Sequence, residues 1–207
     1  MKAVLCLCLL PVAVPAATLV TGPWNVGIAV PDNSSLGLSV TRPVVTTISS
    51  ITQVTVSVDL AGGWAGDMYA YIVHDGEIAV LLNRPGRSWA VPDGSGAIGL
   101  QLTFADNGAS DVHTAIPDFG TVSGTFQPDA RTDDFSASLD TSPRSAFLSS
   151  FNGLDANGLW TLFVADAATG DTMTLNRWSL TITGVPEPSV AWLGAAGFAL
   201  VLRRRRG

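Results

Sequence analysis

Lysine occurs once in this chain of 207 residues, at position 2, and cysteine twice, at positions 6 and 8. No thiol stands beyond residue 8, which excludes a disulfide framework and thiol chemistry from the body of the chain. Charge is scarce at 14%, and the basic residues sit at the ends: Lys2 and Arg203 to Arg206 make five of eleven. Between them six arginines face sixteen acids once Glu187 is set aside, a net charge of −10. A nucleic-acid binder needs the opposite balance. Strong helix formers other than Ala and Leu are rare while Gly 21 and Pro 12 are plentiful, which disfavours a helical protein. What is present is apolar: 47% hydrophobic residues exclude global disorder, and the length suits a single core.

The two ends read as addresses. Lys2, the apolar stretch Ala3 to Val14 and the small-residue exit at Pro15-Ala16 predict a secretory signal over 1–17, cleaved near Ala16 or Ala17. At the other end Pro186-Glu187-Pro188 precedes fourteen uncharged residues, Ser189 to Leu202, and then Arg203, Arg204, Arg205 and Arg206. At about 1.5 Å per residue that run spans about 21 Å as a helix, short of the roughly 30 Å hydrocarbon core. Arginines that snorkel to the headgroups make up the difference, and their position predicts a transmembrane helix with a cytoplasmic C-terminus.

Residues 185–207 closely resemble the PEP-CTERM sorting signal of Gram-negative bacteria, since the Pro-Glu-Pro, the apolar helix and the Arg cluster occur in order. The resemblance implies transient anchoring in the inner membrane, cleavage by an exosortase-type enzyme that recognises Pro186, Glu187, Pro188 and Arg203 to Arg206, and delivery to the cell surface or exterior.

The middle, residues 18–184, reads as all-β: a two-sheet antiparallel sandwich or jelly roll. Apolar residues alternate at Leu36, Leu38 and Val40, at Val54 to Leu60, at Ile98 to Phe104 and at Trp178 to Ile182, the period of half-buried strands. Denser runs at Met68–Val73, Ile78–Leu82 and Leu159–Ala165 predict strands covered on both faces. Asp75-Gly76, Asn157-Gly158 and Thr169-Gly170-Asp171 supply turn chemistry. One brief helix is expected over Pro143–Phe151, with Ser142 as its cap.

A second resemblance lies in the same region. Ala61–Gly76 with Leu81–Gly86, Leu102–Gly108, Gly124–Pro128, and above all Leu148–Asp166 with Gly170–Ile182 are similar to the signature segments of P domains, the β-sandwich modules beside the catalytic domain of proprotein convertases and many bacterial subtilases. Met173 departs from the glycine usual in that family. The resemblance implies a non-catalytic accessory module. The residues agree: His74 sits beside a hairpin turn, His113 follows Asp111 in a loop, and no nucleophile elbow occurs, so no Ser-His-Asp triad is recognisable.

Oxygen-rich loops around Asp106, Asn107 and Asp111, around Asp155 and Asn157, and at Asp166 and Asp171 offer ligands for a hard cation. Calcium, which bacterial P domains often bind, is the candidate cofactor, with Asp106, Asp155 and Asp166 as ligands, against the alternative that these residues only close turns. Trp160 and Trp178 are expected in the core; Trp24, Trp64 and Trp89 are expected in loops, where they form a stacking platform for sugars or cover the sandwich edges. The expected function is therefore an exported, non-catalytic adhesion or matrix module, with exopolysaccharide or a secreted protease as its expected partner; a stabilising domain for a separate secreted subtilisin-like protease and a carbohydrate-binding module are the alternatives.

Overall fold

The computed structural model describes residues 15–187. The signal helix expected over 1–17 falls outside them save for its last residues, and the membrane helix expected over 189–202 falls wholly outside. Among the described residues no helix is long and apolar enough to cross a membrane.

Nine strands form two sheets. The first has the order β1 (Ala17–Ala29), β9 (Met173–Pro186), β3 (Ile48–Gly62), β6 (Gly99–Phe104) and β7 (Thr121–Phe126); the second has β2 (Ser34–Val44), β8 (Gly158–Asp166), β4 (Met68–His74) and β5 (Glu77–Asn83). All pairs are antiparallel except β6 with β7, which run parallel. Alternation along the central strands builds the core: Val54, Val56, Val58 and Leu60 of β3 face Ile72, Leu162 and Val164 of the other sheet in one buried cluster. Asp75 and Gly76 close the β4–β5 hairpin with φ of 48° and 84°, the left-handed pair that a two-residue turn requires.

Four expectations need correction. Leu36 is 87% exposed, because β2 slips register against β8 between Ser34 and Leu38 and throws the residues between them outward. Both-face cover holds for β5 from Ala79 onward but not for β4, which alternates, nor for β8, where Leu159 is exposed and Thr161 and Phe163 are half-buried. The cover on β5 is irregular chain: Asp129 and Ala130 donate to Leu81 and Val80, and Val80 donates to Ala146. The helix expected over Pro143–Phe151 shrinks to a 3₁₀ turn at Leu148–Phe151; Ser142 caps nothing, and Arg144 forms a bridge with Arg131 in extended chain. Trp24 lies in β1 rather than a loop, its ring centroid 4.6 Å from that of Trp178 on β9.

Strand directions divide the sandwich into two poles. Ala17 pairs with Gly184 and Ile48 with Pro186, so both described chain ends leave from one pole. Gly62, Gly99, Thr121 and Met173 lie at the other, where the segments 63–67, 84–98, 117–120 and 167–172 converge. β3 runs between the poles; its fifteen residues at about 3.3 Å each separate them by about 45–50 Å.

Candidate functional site

The two histidines are structural. His74 ends β4 against Trp160, ring planes 3° apart and centroids 4.0 Å apart, with Nδ1 3.1 Å from the Leu159 carbonyl and Nε2 2.7 Å from that of Asp155. His113 is fully buried in the single helical turn α1 (Val112–Ala115), with Nδ1 2.8 Å from Asp129 Oδ2 and Nε2 2.9 Å from the Arg87 carbonyl. Every ring nitrogen is occupied by an acceptor inside the fold, so neither imidazole is free to serve a nucleophile.

His113 belongs to a buried charged network that no local sequence pattern reveals, since Asp129 and Arg131 stand sixteen and eighteen residues beyond it. Arg131 donates to Asp111 Oδ2 at 2.9 Å and to Asp129 Oδ1 at 3.1 Å, while Asp111 also accepts from the His113 N–H and so caps α1. Burial pulls the Arg131 guanidinium down, but the bonds and charges of Asp111 and Asp129 outweigh it and hold the group above its ordinary range. The network pins the irregular cover to β5 and fixes where the segment 84–98 begins.

The calcium candidates do not come together. Asp106 spends both carboxylate oxygens on the backbone N–H groups of Leu148 and Ser149, at 3.0 and 2.7 Å. Asp155 accepts from the N–H and the side chain of Asn157 and closes that turn. Asp166 ends β8 while Asp155 precedes it, so about 30 Å of strand separates them. No three Asp, Glu, His or Cys side chains gather at metal distance among the described residues. These carboxylates do not fit one Ca²⁺ ion; two of the three close turns or cap chain.

Asp166 is different, for it is 1% exposed and its Oδ2 has no hydrogen-bond partner among the described residues. Burial lifts its carboxyl to about 6; the Ala168 N–H opposes this, and Asp67, Asp32 and Asp171 add repulsion. Asp67 is lifted too, by burial against the pull of Arg84. A carboxyl raised above its unfolded value of 3.8 keeps its proton longer in the folded state, so stability falls as pH rises from about 4 through about 6 and then levels off. Asp166→Asn, which retains an acceptor for Ala168, is expected to melt higher than the parent at pH 7.5 and level with it at pH 4. Thermal melts across that range test this, and a variant that tracks the parent throughout would refute it.

The loop pole carries exposed aromatics. Trp64 packs on Gly96, where a Cβ would stand 2.8 Å from the indole, and donates from Nε1 to the Asp93 carbonyl; it covers the sandwich end. Trp89 is 85% exposed and Phe119, which the sequence reading overlooked, 84%. Beside Trp89 lies a groove of about 350 Å³ with Pro92 and Leu139 as apolar walls.

Against known proteins, the sequence profile of the proprotein convertase P-domain family matches residues 97–182. No curated protein matches. Among solved structures, the serine protease of Aeromonas sobria is 18% identical, with a TM-score of 0.49, over 86% of this chain and 28% of that one. The same protease crystallised with its chaperone gives 18% identity, a TM-score of 0.48, and coverage of 83% and 27%. The chain thus spans little more than a quarter of those proteins. The P domain is a non-catalytic accessory module, distinct from the catalytic part of subtilisin-like proteases.

Proposed function

We propose that this chain is an exported, non-catalytic binding module of the cell surface or extracellular matrix, carried there by its C-terminal tail. The observation that supports it best is the P-domain match on a two-sheet sandwich whose histidines are consumed by the fold. In this reading Ser189 to Leu202 hold the chain in the inner membrane of a Gram-negative cell, with Arg203 to Arg206 on the cytoplasmic side, and an exosortase-type enzyme cuts near Pro186-Glu187-Pro188. Pro188 and the four arginines lie outside the described residues. Pro186 pairs with Ile48 and the Glu187 N–H donates to the Thr47 carbonyl, so a cut after Glu187 would leave β9 whole.

Intact mass of material from medium and membranes tests this. The secreted form is expected to lack the leader and Arg203 to Arg206, while Glu187→Ala combined with Pro188→Ala is expected to leave uncut chain in the inner membrane. Full-length chain in the cytosol, or a variant released as readily as the parent, would refute it.

A second reading has support from the P-domain family itself: a stabilising partner for a separately encoded, secreted subtilisin-like protease. Co-purification of such a protease with the exported chain distinguishes it from the first.

A further inference from the structure

We propose that the groove beside Trp89 binds a neutral polysaccharide, with a pyranose ring stacked on the exposed indole. The inference deepens the reading of the chain as an exported binding module and rests on it for where the polymer is met.

Trp89 is held out, not loose. The Ser88 N–H donates to the Val91 carbonyl, and the Val91 N–H returns to the Ser88 carbonyl and hydroxyl, which closes a tight turn around Trp89. Arg87 ties that turn to its neighbours, donating from Nε to the Pro92 carbonyl at 3.0 Å and from Nη1 to the carbonyls of Phe135 and Ser136 at 2.8 Å each. A fixed indole left 85% in water forgoes the stabilisation that burial of so large a ring brings. Such a preorganised apolar face loses little entropy when a ligand settles on it.

The shape of the site favours a sugar. Trp89, Pro92 and Leu139 make apolar walls, while Arg87, Ser88 and Ser136 place a guanidinium and two hydroxyl-bearing residues at the rim. A pyranose presents the complement, a C–H face ringed by hydroxyl groups. Charge narrows the class further. The Asp93 carboxylate acts on Arg87 through its charge, and the Asp134 carboxylate accepts from the N–H and hydroxyl of Ser136, so carboxylates flank the groove. With a body of net charge −10, these repel uronic-acid and sulfated polymers and leave neutral ones. The site also lies at the pole opposite the one from which the tail departs, so a chain anchored by its C-terminus presents the groove away from the membrane.

The test is co-sedimentation of the purified full-length chain with insoluble β-glucan and chitin particles, with alginate as the anionic control. Retention on at least one neutral polymer is expected, with no Trp89-dependent retention on alginate. Trp89→Ala is expected to weaken that retention at least about tenfold, as loss of an aromatic anchor does, while Phe119→Ala leaves it unchanged. Trp89 is too exposed for its loss to unfold the sandwich, and an unchanged melting curve verifies this. No retention on either neutral polymer, or retention indifferent to Trp89→Ala, would overturn the proposal. So would Trp89-dependent capture of a secreted protease without glycan retention, which would mark the groove as a protein dock. None of these outcomes alters the intact-mass result, so failure here is separable from failure of the sorting reading.

Discussion

Trp160→Ala is expected to destabilise the sandwich by about 3–5 kcal/mol, the range for deleting a buried tryptophan. The residue is fully buried on β8, its ring stacked on His74 on one side and met edge-on by Phe151 at 5.1 Å. Its Nε1 donates to the Ala156 carbonyl at 3.1 Å, which ties the turn before β8 to the strand. Truncation therefore removes three things together: the apolar contact, one face of the His74 stack and a buried hydrogen bond. Against a total stability on the order of 5–15 kcal/mol this is a large share. Trp160→Phe, which keeps the stack but loses the donor, is expected to recover more than half. Urea melts of the three proteins decide the matter, and a loss under about 1.5 kcal/mol for the alanine variant would show that Trp160 is not the keystone of this core. Trp89→Ala, by contrast, is expected to shift stability by no more than about 0.5 kcal/mol.

The contrast between those two tryptophans marks what the sequence makes legible. Trp160 and Trp178 sit in alternating strand patterns, and a period of two places a side chain inside without knowledge of any partner. Turn chemistry is equally local: Asp75-Gly76 needs only its own backbone angles. β1 was missed for a local reason as well. Gly22 and Pro23 break its alternation, and its register against β9 shifts twice, between Thr21 and Trp24 and between Asn25 and Ile28, so no clean period survives and Trp24 reads as a loop residue. The candidate site was harder, because its parts are distant in sequence. Asp106, Asp155 and Asp166 look alike as turn acids, yet one caps a 3₁₀ turn, one closes a tight turn and one is buried with an unpaired oxygen. The groove is lined by both Trp89 and Leu139, fifty residues apart, because the segment after β7 folds back across β5 and its Phe135 and Ser136 carbonyls accept from Arg87.

That fold-back segment rests on Asp129, and Asp129→Ala is expected to cost about 3–5 kcal/mol, the magnitude for leaving one partner of a buried ion pair uncompensated. The carboxylate is wholly buried. Its Oδ2 accepts from the Asn83 N–H at 3.1 Å and lies 2.8 Å from His113 Nδ1, and its Oδ1 accepts from Arg131 at 3.1 Å. Alanine would take the acceptor from the Asn83 N–H and from His113 Nδ1, and one of several from Arg131. Asp111 still holds Arg131 at 2.9 Å, so the guanidinium stays in place with one carboxylate fewer. Removing Arg131 as well, in Asp129→Ala with Arg131→Met, is expected to cost less than the sum of the two single losses, because the two side chains bond each other and either single change already breaks that bond. Denaturant melts of the four proteins measure that coupling. Strict additivity, or a single-variant loss under about 1 kcal/mol, would mean that water satisfies these donors and that the network does not hold the cover on β5. If the coupling is present, Asp129→Ala should also weaken glycan retention with Trp89 intact, since the His113 ring that Asp129 orients is bonded to the Arg87 carbonyl, and Arg87 ties the two sides of the groove together.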